Sequence, residues 1–203
     1  MSSSLSVYLL DPKATRALVG SGDDQLLQVI RDSFGADLTS DDEWFESEIE
    51  AGAPTAYEAL RAVVHGGPFG ADREHAFQYG YAYKRLCALT GSFLDNSSFS
   101  PYKGDWLSVV DEGLRALRIT AVSVSEFGYG SGLPDPVPSS YLPGCGEWTH
   151  EQCLRALEEF EETKRQGHAP PLEPEVVDAV MDVVKWLRHV EARPGFGVVG
   201  FVS

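Results

Sequence analysis

The fold is decided at the end of the chain, where residues 173–202 read EPEVVDAVMDVVKWLRHVEARPGFGVVGFV. Valine and leucine recur at three- and four-residue steps through the first part of this stretch, which is the apolar stripe of an amphipathic helix. Pro194-Gly195 then ends the helical period. Valine is a poor intrinsic helix former, so burial must stabilise the apolar face. The pattern predicts a core helix over residues 173–190.

A short apolar segment, residues 196–202, follows the helix and is too apolar for a tail in solvent. Its backbone groups are satisfied most readily by pairing inside a sheet. The comparable apolar run near the other end of the sequence is LSVYLL at residues 5–10. We therefore expect these two segments to be neighbouring strands of one sheet.

Helical periodicity and capping residues dominate the sequence between the two terminal strands. They predict helices over 13–19, from Asp23 or Asp24 to about Phe34, over 39–50 with Thr39-Ser40 as the N-cap, and over 54–64, 72–90, 105–117 and 149–166. Residues 119–127 alternate apolar and small polar side chains, which favours a strand, although the preceding helical period also continues into them. Long loops are predicted at 91–104 and 128–148. The expected fold is a helix-rich α+β single domain over residues 1–203, with a small sheet containing the N- and C-terminal strands.

The composition is that of an ordinary globular protein, with 43% hydrophobic and 23% charged residues among 203. No apolar run approaches the ~20 residues of a membrane span. The start, MSSSLS, has neither the basic nor the apolar region of a secretory signal. Three cysteines do not make a disulfide framework. These features predict a cytoplasmic protein with reduced thiols.

The net charge of −15 is the strongest compositional signal. It argues against binding nucleic acid through phosphates and against anionic membrane surfaces. It permits a basic protein partner, or serves only solubility. Residues 1–58 hold 12 acidic and 3 basic side chains, and residues 37–50 hold seven carboxylates without a Lys or Arg.

The acidic segment is the first candidate site. Its candidate partner-binding residues are Asp41, Asp42, Glu43, Glu46 and Glu48. The simpler interpretation is a helix whose acids are solvated, while a narrow apolar edge packs inward. That edge consists of Trp44, Phe45 and Ile49.

The tyrosine-rich helix predicted over 72–90 is the second candidate site. Its tyrosines and the polar loop that follows it suggest a pocket lined by Tyr79, Tyr83, Lys84, Asp95 and Asn96. The simpler interpretation is a central core helix followed by a structural turn at the loop, because buried tyrosines contribute much area and Asp and Asn favour turns.

The sequence contains no recognisable catalytic, cofactor or metal motif. Cys145, His150 and Cys153 lack the paired short spacings and the fourth ligand of a zinc site. The glycine-rich run 128–132 resembles a dinucleotide loop only superficially, because the prolines at 134, 136 and 138 prevent the helix that a pyrophosphate site requires. We therefore predict no cofactor, no metal and no catalytic residue, and an enzyme is the less expected class.

Three stretches carry a resemblance to known families: SLSVYLLDP at 4–12, YGYAYK at 79–84 with LDNS at 94–97, and GFGVVGF at 195–201. They look like an uncharacterised family of small bacterial domains of unknown function. More distantly, the two ends resemble the YfbM-like proteins, whose function is also unknown. The resemblance implies an α+β fold with the terminal strands in a common sheet, and a bacterial cytoplasmic setting. It brings no catalytic residues.

Two functions of different classes follow from the sequence. The first is an acidic cytoplasmic protein-binding module, of immunity type, that neutralises a basic partner. The second is an enzyme or small-molecule binder with a cleft beside the tyrosine-rich helix 72–90. The sequence does not indicate an oligomeric state.

Overall fold

A computed structural model of the chain describes residues 2–129 and 132–203. Those residues form nine helices and four strands, which places the protein in the predicted α+β class. In chain order they are β1 (Leu5–Leu10), α1 (Pro12–Arg16), α2 (Asp24–Trp44), α3 (Glu46–Glu50), α4 (Ala56–His65), α5 (Phe77–Thr90), β2 (Ser92–Phe93), α6 (Trp106–Ala116), α7 (Glu126–Tyr129), β3 (Gly144–Trp148), α8 (His150–Arg165), α9 (Pro174–Glu191) and β4 (Gly197–Val202). A short 3₁₀ turn spans Ser97–Phe99.

The four strands form one antiparallel sheet in the order β2-β1-β4-β3. β1 and β4 pair along their whole length, from Leu5 opposite Val202 to Leu10 opposite Gly197. All six residues of β4 are buried. The predicted pairing of the two terminal segments is therefore confirmed, and the apolar end of the chain is a central strand.

The chain divides into two compact units. The sheet unit comprises Met1–Pro12, Thr90–Gly132 and Gly144–Ser203, and the helical unit comprises Lys13–Leu89 and Leu133–Pro143. The single domain over residues 1–203 stays a prediction.

The sheet unit has its core around α9, as the valine stripe predicts. α9 packs on α6, α8 and the sheet, and it buries the valines of its apolar face. Trp186 lies with its ring centre 5.2 Å from that of Phe99 and 6.2 Å from that of Trp148. Burial of this face offsets the low helix propensity of valine.

The short helix α7 lies directly against glycines of β3 and β4. A Cβ atom at Gly146 would lie 2.5 Å from the carbonyl oxygen of Glu126, and one at Gly200 would lie 2.4 Å from the ring of Phe127. Because both positions are glycine, Phe127 can pack on the sheet, and its ring centre lies 4.5 Å from that of Trp148. β3 was missed in the predicted loop 128–148 because its sequence, GCGEW, lacks β-branched residues. Its glycines mark close packing there rather than a loop.

The strand predicted over residues 119–127 is wrong, because two carboxylates take up the backbone N–H groups of this segment. Asp111 accepts hydrogen bonds from the N–H of Val124 at 2.7 Å and of Ser125 at 3.2 Å. Glu159 accepts from the N–H groups of Thr120 and Ala121, at 2.7 and 3.1 Å. These donors are satisfied by side chains rather than by a neighbouring strand.

In the helical unit, the N-cap predicted at Thr39-Ser40 is wrong, because helical backbone is already formed before it. α2 is kinked at Phe34, its one residue with non-helical angles, and this kink lies where the preceding helix was predicted to end. The Thr39 hydroxyl donates to the carbonyl oxygen of Gly35 at 3.0 Å, which is the bond of a threonine inside a helix rather than that of an N-cap. The tyrosine-rich helix α5 begins at Phe77, five residues later than predicted.

Substitution of Gly146 by alanine tests the close packing of α7 on the sheet. We expect Gly146→Ala to lower the free energy of unfolding by about 2 kcal/mol or more, because the new methyl group meets backbone rather than a flexible side chain. Gly128→Ala is the matched control in α7, since its Cβ would lie 3.7 Å from Val202 in ordinary contact. Urea denaturation measures both. Equal stability of the two variants would contradict the packing.

Candidate functional site: an acidic and aromatic surface

Two of the five predicted partner-binding acids hold the helical unit together. Asp41 forms an ion pair with Arg85 of α5. The Asp42 carboxylate accepts a hydrogen bond at 2.7 Å from the N–H of Ala56, the first residue of α4. Both carboxylates are half-buried. Asp41 and Asp42 therefore join α2 to α5 and α4, and each already has a partner inside the helical unit.

The other three acids, Glu43, Glu46 and Glu48, are exposed at the end of α2 and in α3. In the described residues, no ion pair joins any of them to a Lys or Arg. A hydrogen bond from the Ser47 hydroxyl lowers the pKa of Glu48. The sequence from Asp32 to Leu60 also contains no Lys or Arg.

The aromatic residues of this segment, Phe45 and Trp44, point in different directions. Phe45 is half-buried, with its ring centre 4.9 Å from Phe77 and 5.2 Å from Tyr81. Trp44 is 81% exposed, so the expectation that it packs inward is wrong. Phe45 lies between α2 and α3, where the backbone leaves helical geometry, and it is Phe45 that takes the inward position. Trp44 is therefore left on the surface between the exposed acids.

A cleft with a volume of about 340 Å³ lies in the helical unit beside α3. We call it the aromatic cleft, because four of its lining residues are aromatic: Phe45, Phe77, Tyr81 and Tyr141. Its charged lining residues are Glu48, Glu74 and Arg73, and all three are exposed. The acids of α3 and the aromatic cleft thus share Glu48.

The sequence did not identify Tyr141, which lies in a proline-rich loop and is 89% exposed. Gly80 of α5 allows this loop to approach, since a Cβ there would lie 2.9 Å from the ring of Pro143. The Ser140 hydroxyl donates to the carbonyl oxygen of Leu142 at 2.6 Å and closes a local turn around Tyr141. The glycine inside the tyrosine-rich helix was the available signal, because such a glycine often marks a close approach.

The residues of the predicted tyrosine pocket fall in both units. In the helical unit, Tyr79 is buried and its hydroxyl accepts from the N–H of Gly70 at 2.8 Å. Tyr83 is also buried. The Nζ of Lys84 lies 5.8 Å from the centre of the Tyr81 ring. Burial lowers the pKa of Lys84, and the Asp41 carboxylate opposes that effect.

The two loop residues of that predicted pocket belong to the sheet unit. The carboxylate of Asp95 accepts from the N–H of Ser97, and its backbone carbonyl accepts from Nε1 of Trp186. The amide of Asn96 donates to the carbonyl oxygen of Leu5. These bonds are those of a structural turn. A cleft shared by all five residues stays a prediction.

Cys145, His150 and Cys153 are placed in the structure as buried thiols and a hydrogen-bonded imidazole. Cys145 and Cys153 are buried, and burial raises the pKa of the Cys153 thiol to about 12. The Nδ1 of His150 lies 3.0 Å from the carbonyl oxygen of Phe196. Over residues 2–129 and 132–203, no group of three or more His, Cys, Asp or Glu is placed to hold a metal ion. Gly130 and Ser131 of the glycine-rich run lie outside the described residues.

In the part of the chain that the structure describes, no helix combines the length and the apolar character needed to cross a bilayer.

Alanine substitutions at two adjacent acids separate the structural carboxylates from the exposed ones. We expect Asp42→Ala to lower the free energy of unfolding by about 1 kcal/mol, because the N–H of Ala56 loses its acceptor at the start of α4. Glu43→Ala, one residue along the same helix, is expected to stay within about 0.5 kcal/mol of the parent. Thermal and urea unfolding measure the difference. A larger loss for Glu43→Ala would refute this division.

The chain matches a known protein family over its whole length. A family model described as a domain of unknown function (DUF7691) matches residues 1–203, so the chain belongs to that family. Neither a search of curated proteins nor a search of solved structures found a match.

Proposed function

We propose that this chain is an acidic protein-binding module that docks a basic protein on the surface formed by Glu43, Trp44, Glu46, Glu48 and the aromatic cleft. The observation that carries the proposal is the placement of an exposed tryptophan among exposed acids that have no cationic partner in the described residues. Exposed aromatic side chains are frequent anchors of protein interfaces. A surrounding charge of one sign steers an oppositely charged partner towards them.

The physical roles of the acids and the aromatic residues differ. Exposed carboxylates increase the association rate and make binding sensitive to salt, but each contributes little affinity. Trp44 and the aromatic cleft supply apolar area that is buried only in the complex. The proposed module therefore binds by a desolvated aromatic centre with an acidic rim.

The immunity-type role is a finer part of the same proposal, as are the bacterial cytoplasmic setting and the distant similarity to the YfbM-like proteins. The concentration of acids near α3 supports a partner that is basic. The lack of a recognisable catalytic motif in the sequence favours a role in binding.

A small-molecule function remains the second candidate, because the aromatic cleft includes Phe77 and Tyr81 of the tyrosine-rich helix. Its volume of about 340 Å³ is near the lower end of the range of ligand pockets, about 300–1,000 Å³. The cleft differs from the one predicted from sequence, since its residues all belong to the helical unit.

Affinity capture with two charge-reversed variants tests the binding module. The test variant carries Glu43→Lys, Glu46→Lys and Glu48→Lys. The control carries Glu158→Lys, Asp178→Lys and Glu191→Lys, three exposed acids of the sheet unit. Each variant changes the net charge from −15 to about −9. Each protein is immobilised, exposed to native cell lysate at low salt and eluted with a salt gradient.

We expect the parent and the control to retain the same basic protein, and the test variant to lose it at least about tenfold, because only that variant places cations around Trp44. Equal retention by the two variants would contradict the proposed surface. A retained protein that is not basic, or an empty eluate, would contradict the function and favour the small-molecule alternative.

A further inference from the structure

We infer that the aromatic cleft takes an arginine side chain of the basic partner. This inference rests on the proposed function and identifies the residue that the partner inserts. It follows from three features of the cleft: its rings, its charges and its size.

The rings come from two separate parts of the helical unit. Phe45, Phe77 and Tyr81 form one cluster, in which the centres of the Phe77 and Tyr81 rings lie 6.4 Å apart at 83°. Tyr141 is contributed by the loop that Gly80 admits. The faces of aromatic rings attract cations, and guanidinium groups more often than ammonium groups. One ring already carries a cation, because Lys84 lies over Tyr81, so an incoming cation is left with the other three.

The charges select a cation over an anion. The charged side chains that line the cleft are Glu48, Glu74 and Arg73, so the lining carries one net negative charge, and Lys84 over the Tyr81 ring is not part of it. A guanidinium group fits this combination because it stacks on rings and pairs with carboxylates through two parallel hydrogen bonds. The ammonium group of lysine is more strongly hydrated and lacks the planar face. The helical unit already holds one guanidinium over an aromatic ring, since the Arg31 Cζ lies 5.3 Å from the centre of the Tyr57 ring.

The size of the cleft limits what enters it. A volume of about 340 Å³ admits one long side chain with its solvent, but not an element of secondary structure. Trp44 and the acids around it contact the rest of the partner under the proposed function. Arginine in the cleft therefore acts as a specific anchor within a surface that otherwise attracts any positive charge.

Two peptides of equal charge separate the anchor from general electrostatic attraction. The probes are capped hexa-arginine and hexa-lysine, titrated at low ionic strength by calorimetry. We expect hexa-arginine to bind about three- to fivefold more tightly, because only the guanidinium stacks in the cleft. We expect Tyr141→Ala to remove this preference while leaving the binding of hexa-lysine unchanged. Tyr129→Ala, which removes an 85% exposed tyrosine of the sheet unit, is the control that keeps the preference.

Each outcome decides between the two proposals. Binding of neither peptide would overturn both the acidic docking surface and the arginine anchor. Equal binding of both peptides, or a preference for hexa-lysine, would overturn the anchor alone, because attraction of both peptides to so acidic a chain does not locate the docking surface. An arginine preference that survives in Tyr141→Ala would place the guanidinium outside the cleft and overturn the anchor as well. Because Tyr141 is exposed, folding of the variant is expected to match the parent, and circular dichroism checks this.

Discussion

The sheet unit depends on the close approach of the α7 backbone to the glycines of β3 and β4. The absence of a Cβ at Gly146 and Gly200 lets Glu126 and Phe127 lie directly on the sheet. Phe127 then packs on Trp148, which joins this contact to the core around α9. The same contact covers β4, the central strand that pairs with β1 on one side and β3 on the other. The two terminal strands, β1 and β4, thereby lie together at the centre of one sheet.

The acidity of the chain has two separate physical uses. Asp111 and Glu159 hold the segment that precedes α7 by accepting its backbone N–H groups, and Asp42 does the same at the start of α4. Such charge-assisted hydrogen bonds are stronger than neutral ones and replace secondary-structure partners. In the described residues, the exposed acids near α3 form no ion pair with a Lys or Arg, and the Glu48 carboxylate accepts a hydrogen bond only from its neighbours in sequence. The number of acidic residues therefore overstates the number available to a partner. The proposed binding surface contains fewer acids than the acidic segment of the sequence.

The sequence predicted the elements whose side chains carry a regular period. α9 and β4 were predicted correctly, because the spacing of their apolar residues indicates directly which positions are buried. The false strand over 119–127 had a suitable alternation, but the carboxylates that compete for its backbone are distant in sequence. β3 was not predicted for the same reason, because its glycines are required by the close contact with α7, which is distant in sequence. Tyr141 was not predicted because its loop can approach the cleft only where Gly80, far away in sequence, has no side chain. Non-local contacts of this kind leave no periodic signal.

The measurement that tests the docking surface most directly is a ¹⁵N NMR titration of the whole chain with hexa-arginine at low salt. The proposed surface predicts that the largest shift changes lie at residues 43–48 and in the aromatic cleft, at 73–81 and 140–142. It also predicts small changes at the exposed acids of α8 and α9, which do not line the aromatic cleft. Shift changes spread evenly over all exposed acids, or largest on α8 and α9, would show that the chain attracts cations only through its net charge and would contradict a dedicated binding surface.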